Sequence, residues 1–338
     1  MITLVVGGQY GGEGKGKISA FLSTQHNYSA ICRTGSVNSK HTVSTKGEDY
    51  DLRHLPTACA HGFKGKIYFG AGSIIHIPTL FEEIKLFNIS NNQIVIDNQA
   101  GVLNTKHTTE QRKDGRYHNI GSTLTGTGYA TAERAMRKLS LARDVEDLQS
   151  MLGNVPKELW NRLSNNKNIL VEGHQGAGLS NLHGDYPYVS NRDCIAAELL
   201  SELGVGPRHK LRIILVLKVF PTSNHKGLLP NEMTKDEIRI IGIEEYGGGS
   251  WNVGNKKRRV GKFDFDNLKS TIHLNTPTEI ALTGIDYYDK ESAGVKEENK
   301  LSKKSLDFIK KIEKISGIPV NIISTGPDTM STIYRKQK

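Results

Sequence analysis

Residues 7–17 read Gly-Gly-Gln-Tyr-Gly-Gly-Glu-Gly-Lys-Gly-Lys and follow directly on the apolar positions Ile2, Leu4, Val5 and Val6. Glycines at this density let backbone N–H groups turn toward an anion with no Cβ in the way, and lysines supply mobile positive charge. Ile18, Ala20, Phe21 and Leu22 then open a helix, whose N-terminus adds to the same potential. The stretch predicts a phosphate cradle between a buried strand and a helix; the plainer alternative is a turn that only packs the two closely. Gly11, Gly16 and Lys17 satisfy the Gly-x4-Gly-Lys spacing of a P-loop, but Ile18 stands where a Ser or Thr hydroxyl would hold magnesium.

Further loops carry polar chemistry after predicted strands. Thr34-Gly-Ser-Val-Asn-Ser-Lys-His-Thr42 follows a strand over 28–33, and Ile169-Leu-Val-Glu-Gly-His-Gln-Gly176 is a buried strand running into a polar loop. Ile120-Gly-Ser-Thr-Leu-Thr-Gly-Thr-Gly128 precedes a helix through Ala132, Ala135, Met136 and Leu139, which predicts a second anion site at a helix start. In α/β proteins such loops converge at the carboxyl edge of the sheet.

The elements that must position these loops alternate along the chain. Strands are predicted over 52–56, 67–69, 93–97, 211–220, 238–243, 280–285 and 320–324, and helices over 78–86 and 301–315. Residues 104–119 have no strong pattern and read as a mobile loop, and 183–191 as irregular. The fold class is α/β: a mainly parallel central sheet covered by helices, with a P-loop-like phosphate loop after the first strand. Residues 1–338 read as one domain with loop insertions.

With 338 residues, 24% charged and 36% hydrophobic, the chain has the composition of an ordinary soluble protein. No apolar stretch approaches the roughly 20 residues needed to cross a bilayer, and no signal peptide is evident, so a cytoplasmic location is expected and a membrane partner is not. Cys32, Cys59 and Cys194 are too widely spaced for a disulfide framework or a zinc site. A net charge of +10 permits nucleic-acid binding but suits equally a protein that holds several phosphates. The one dense basic run, 256–259, sits among glycines rather than on a helix stripe, so no nucleic-acid partner is expected.

Gly-Gly-Glu-Gly-Lys-Gly-Lys-Ile resembles the Gly-Asp-Glu-Gly-Lys-Gly-Lys signature of adenylosuccinate synthetases, with Gly12 in place of the aspartate. The order and wording of the other loops resemble the same family across nearly the whole chain. The resemblance implies a ligase that joins aspartate to carbon 6 of a 6-oxopurine nucleotide: a nucleoside triphosphate phosphorylates O6, and the amine then displaces that phosphate. It implies Lys15 at O6 and the transferred phosphate, His41 as general acid, and Thr42 on phosphate. It places Gln175 on the purine's oxygen edge, and Asn38, Ser122, Thr123 and Ser190 around the nucleotide. Arg137 matches an arginine that reaches the neighbouring subunit's nucleotide, which implies a homodimer. The donor nucleotide falls to Gly14, Lys15, Gly16, Lys17, Lys40, His41, Thr42, Arg258, Asp286, Gly326 and Pro327. Magnesium falls to the carbonyl of Lys40 and to Gly12, where the family's carboxylate is missing.

Two other stretches depart from the pattern. In the aspartate loop the family's Thr-Thr-Gly-Arg-x-Arg becomes Val253, Gly254, Asn255, Lys256, Lys257 and Arg258, and lysine cannot make the bidentate carboxylate fork. In the donor-base loop Thr283-Gly-Ile-Asp286 lacks the lysine of the guanine signature, which points to ATP or dATP, with GTP retained as an alternative. In the family the aspartate at position 12 takes the proton from purine N1, and a general base contributes about a hundredfold to ten-thousandfold. Its replacement by Gly12 leaves the base to Glu13 or a magnesium-bound water, and is expected to open room for an amino group on C2. This resembles the bacteriophage 2-aminoadenylosuccinate synthases, which condense dGMP with aspartate on the way to 2-aminoadenine DNA. Beside dGMP stand an IMP-using adenylosuccinate synthetase and a nucleotide- or nucleic-acid-binding protein without ligase activity.

Overall fold

The computed structural model describes residues 1–243, 246–247 and 256–335. The first apolar run becomes β1 (Ile2–Gly7), buried at every position because helices cover both of its faces. The other strands of the ten-stranded sheet, among the described residues, are β2 (Ala30–Arg33), β3 (Lys66–Phe69), β4 (Ile94–Asp97), β5 (Leu152–Gly153), β6 (Ile169–Glu172), β7 (Leu211–Lys218), β8 (Glu279–Thr283), β9 (Val320–Ser324) and β10 (Thr332–Tyr334). Across the sheet they run β10-β9-β8-β7-β1-β6-β2-β3-β4-β5. Neighbours pair in parallel except β9 and β10, which are antiparallel. The α/β expectation holds.

Period-two alternation sorts the core into two faces. Leu4 and Val6 of β1 pack with Leu215, Leu217, Ile280 and Leu282 against Leu199, Leu268, Ile309 and Ile312. Val5, Ile214 and Val216 face the other way onto Ile18, Phe21 and Leu22 of helix α1 (Lys15–Gln25). The phosphate loop is therefore clamped between the central strand and a buried helix.

Several local expectations are overturned, each by a tertiary cause. Residues 104–119 are two helices, Thr105–Lys113 and Gly115–Asn119. The first buries polar side chains, with His107 Nε2 2.8 Å from Glu133 and Gln111 Nε2 donating to Ser122 Oγ at 3.0 Å, so it has no apolar stripe to read. Residues 238–243 are not a strand: Thr234 and Glu237 form a capping box, and the β-branched residues lie on the helix Lys235–Ile241, with Gly242 ending it. Leu52 closes a hairpin, His41–Thr45 with Glu48–Leu52, turned through Lys46 and Gly47, both at positive φ (54° and 82°). The strand expected over 280–285 stops at Thr283, since Gly284 caps the helix Ile285–Tyr288. The helix after the hydroxyl cluster spans Thr127–Ala135 and ends short of Leu139.

Leu215 is fully buried on β7 beside β1. Leu215→Ala is expected to lower the unfolding free energy by about 2–5 kcal/mol in a urea titration. A loss under about 1 kcal/mol would contradict this placement of the core.

Candidate active site

Glu13 shapes the phosphate loop. It is 1% exposed, its Oε1 accepts from the N–H groups of Gln9 (3.1 Å) and Gly11 (2.9 Å), and its Oε2 accepts from Lys15 Nζ at 2.7 Å. Both carboxylate oxygens are engaged in folding the loop and holding Lys15. The expectation that Glu13 replaces the missing base is thereby overturned. At Gly16 a Cβ would approach the Cβ of His41 and the Cγ2 of Thr57 to 2.8 Å, so glycine here lets the His41 hairpin lie directly on α1.

Lys17 does not face the phosphate loop's cleft. Lys15 and Lys17 are two residues apart on α1, so they point about 200° apart around its axis. Lys17 Nζ donates instead to Ser324 Oγ (2.6 Å) at the end of β9 and to the carbonyls of Gly326 (2.5 Å) and Ser331 (3.0 Å) beyond it. Burial pushes its ammonium down to about 8, against the pull of Asp286 and Asp328. It ties the loop bearing Gly326 and Pro327 to the phosphate-loop helix.

His41 sits on a buried relay. Its Nδ1–H donates to Glu172 Oε1 at 2.6 Å. Glu172 Oε2 accepts from the N–H (2.9 Å) and the hydroxyl (2.7 Å) of Thr57, and Arg33 Nη1 lies 3.4 Å from Oε1. Burial alone would raise the Glu172 carboxyl, but the His41 hydrogen bond, Arg33 and Thr57 outweigh it and hold the group below its ordinary value. Burial, and after it Arg33, push the His41 imidazole down to about 4, against Glu172. The resting ring is therefore neutral, with its proton on Nδ1 and a bare Nε2. Nε2 is buried and has no hydrogen-bond partner among the described residues. His41 can act as an acid only after Nε2 has taken up a proton.

One cavity of about 540 Å³ gathers Gly12, Gly14, Lys15, Gly16, Asn38, Lys40, His41, Thr42, Ser122, Thr123, Gln175, Ser190 and Arg258. Lys40 and Thr42 are braced by Asp51, each at 2.6 Å. Gln175 takes a positive φ of 40°, a strained backbone that its place between β6 and the phosphate loop enforces. Gln111 holds the hydroxyl loop, accepting from Gly126 N–H at 2.5 Å as well as donating to Ser122. Glu172, Arg33 and Gln111 are the residues that sequence reasoning missed. Glu172 stands in the quoted Glu-Gly-His-Gln-Gly word, and its place as the last residue of a buried strand was the available signal.

The remaining expected residues lie elsewhere. Arg137 is exposed, past the helix Thr127–Ala135 and outside the cavity. Asp286, Gly326 and Pro327 do not line the cavity but cluster at the ends of β8 and β9, around Lys17. Val253, Gly254 and Asn255 lie outside the described residues, as does the side chain of Lys256.

The space beside Gly12 is not open. A Cβ built there would overlap Arg258 Nη1 and lie 2.8 Å from Thr222 Oγ1. The guanidinium end of Arg258, a long flexible side chain, lies in the direction that a residue-12 side chain would take. No cluster of three or more His, Cys, Asp or Glu among the described residues could hold a metal by itself.

The relay makes stability pH-dependent in a defined direction. His41 is depressed from an unfolded value of about 6.5 to about 4, so the unfolded chain binds the extra proton first. Its contribution is fully present above about pH 6.5 and lost as pH falls toward 4. Denaturant titrations from pH 7 to 4 are expected to show a steeper loss for the native protein than for His41→Asn; equal slopes would contradict the neutral, buried ring.

Comparison with known proteins identifies the family. The adenylosuccinate synthetase family matches residues 4–149 and 140–293. The chain is 41% identical over 336 residues to the adenylosuccinate synthetase of Methanocaldococcus jannaschii, covering 98% of this chain and 96% of that one. It is 38% identical over 338 residues to that of Pyrococcus horikoshii, covering 98% of each. Its fold is similar to the fully ligated adenylosuccinate synthetase of Plasmodium falciparum (TM-score 0.90, 22% identity, 99% of each chain). It is also similar to the succinoaminodeoxyadenylate synthetase of cyanophage S-2L bound to dGMP and dATP (TM-score 0.84, 23% identity, 99% of this chain and 95% of that one). The chain belongs to the adenylosuccinate synthetase family and is with it a ligase that forms a carbon–nitrogen bond.

Proposed function

We propose that the protein joins L-aspartate to carbon 6 of a 6-oxopurine nucleoside 5′-monophosphate, with IMP as the purine and GTP as the phosphoryl donor. The observation that carries this is the convergence of Lys15, His41 and Gln175 with Asn38, Ser122 and Ser190 on one cavity at the carboxyl edge of the parallel strands. The relatives at 38% and 41% identity favour IMP over other purines. Lys15, aimed by Glu13, supplies a point charge for the 6-oxygen and the phosphoryl group. His41 protonates at Nε2 as the donor's phosphates arrive, and Glu172 keeps the ring oriented. Magnesium, when bound with the donor, neutralises phosphate charge, with the backbone of Lys40 and Gly12 nearby.

One observation favours a second reading. Gly12 stands where the family has its aspartate, the departure on which the resemblance to the dGMP-using 2-aminoadenylosuccinate synthases rests, and another group would then take the purine N1 proton. In that reading ATP or dATP is the donor, since Thr283-Gly-Ile-Asp286 lacks the lysine of the guanine signature. In either case we place Arg137, exposed and remote from its own cavity, in the site of a second subunit of a homodimer.

An assay of aspartate-dependent nucleoside diphosphate release decides between them, with IMP and dGMP offered in parallel against GTP, ATP and dATP. Turnover of IMP is expected, with Lys15→Ala and His41→Asn each lowering kcat by about a hundredfold to ten-thousandfold. Turnover of dGMP alone would install the second reading, and turnover of neither purine would defeat both.

A further inference from the structure

Behind the cavity lies a second buried carboxylate that the proposed chemistry does not use. Glu202 sits on the helix Ala196–Leu203 with its side chain 5% exposed, packed so closely that a Cβ on Gly72 would lie 2.3 Å from its Cγ. Its two oxygens are divided between two loops. Oε2 accepts from His174 Nε2 at 3.2 Å, and Oε1 accepts from Arg192 Nη1 at 2.5 Å. Burial would raise the carboxyl, but Arg192, and after it His174, hold it down to about 2. Neither partner lines the cavity, yet each is a chain neighbour of residues that do: His174 precedes Gln175, and Arg192 follows Ser190 and Asn191.

Both loops need such an anchor. Gln175 holds a φ of +40°, which a non-glycine residue keeps only where its surroundings enforce it. His174 beside it is buried, with Cδ2 only 3.0 Å from where a Cβ on Gly35 would stand, and its Nδ1 has no partner among the described residues. Glu202 is therefore what fixes the ring by hydrogen bonding. On the other loop Arg192 Nη1 donates also to the carbonyl of Gly72 at 2.9 Å, and the Arg192 carbonyl accepts from Asn181 N–H at 3.1 Å. Asn191 carries the connection into the cavity wall, accepting from Asn38 Nδ2 at 3.5 Å and donating to Thr131 Oγ1 at 2.5 Å.

We propose that Glu202 is a positioning residue: through His174 and Arg192 one ionised carboxylate fixes the separation of Gln175 from the Ser190–Asn191 turn, and with it the span of the monophosphate pocket. That the ligand is a purine nucleotide rests on the function proposed above; the shared anchor does not.

The test is calorimetry with IMP and dGMP, and separately with GTP and ATP, on the native protein, Glu202→Gln, His174→Ala, His174→Gln and the double variant of Glu202→Gln with His174→Ala. Glu202→Gln keeps the shape and removes the charge. It is expected to weaken the monophosphate about tenfold and to leave the triphosphate within about twofold of native. His174→Ala is expected to show the same split, and His174→Gln, whose amide nitrogen can replace Nε2, to recover to within about threefold of native. The double variant is expected to bind no more weakly than the worse single one. Equal losses for monophosphate and triphosphate, native monophosphate affinity in Glu202→Gln, or losses that multiply in the double variant would each overturn the anchor. Equal affinities in His174→Ala and His174→Gln would overturn it even if Glu202→Gln fails to fold. Turnover of the native protein with aspartate is measured alongside. No turnover with the monophosphate pattern intact overturns the ligase reading and leaves the anchor standing, and turnover with native monophosphate affinity in Glu202→Gln does the reverse. A native protein that binds neither monophosphate overturns both.

Discussion

The catalytic geometry depends on one carboxylate with no access to water. Glu172 ends a strand beside the central one, is fully buried, and is held by His41, Arg33 and Thr57, which come from three different segments. A charge buried at this depth is tolerable only when each of its lone pairs is met, so the three partners are not free to move independently. Arg33 also donates to the carbonyls of Leu55 (2.6 Å) and Ser39 (2.8 Å), fixing both ends of the His41 hairpin relative to the sheet. The imidazole is thereby fixed in tautomer and direction.

A second constraint is the economy of the phosphate loop. Its acidic residue serves as an internal staple, one lysine faces the cavity, and the other latches the loop after β9. That loop is bound in turn to the hairpin, where the N–H of Thr329 donates to the carbonyl of Ser44 at 2.8 Å. Helix α1, the hairpin and the loop carrying Gly326 therefore form one mechanical unit. Arg258 enters from the opposite wall on a short ribbon braced by Arg259. Cations reach the cavity from separate segments, which suits a ligand carrying several phosphate groups.

Much of the fold was legible because the sheet is covered on both faces. Strongly apolar runs such as those of β1, β6 and β7 are best buried on both faces, and glycines or polar residues at their carboxyl ends mark the ligand loops. What could not be read were elements whose stability comes from partners far along the chain. The helix Thr105–Lys113 buries His107 and Gln111 against Glu133 and Ser122, and such pairings leave no periodic trace. Ile238, Ile240 and Ile241 look like a strand by composition, yet a capping box at Thr234 sets them on a helix.

Sequence by itself determined the α/β class, the phosphate loop, the reactive side chains in their order along the chain, and the family to which they belong. These are local words, and their residue types have few other uses in that combination. Only the tertiary structure decided which groups meet. It turned Glu13 from a candidate base into a staple, pointed Lys17 away from the cavity, left His41 neutral, and brought the guanidinium end of Arg258 beside Gly12. The physical reason is that orientation, burial and the occupancy of a space are set by residues distant in the chain: a glycine shows that a side chain is missing, but not which group lies beside it.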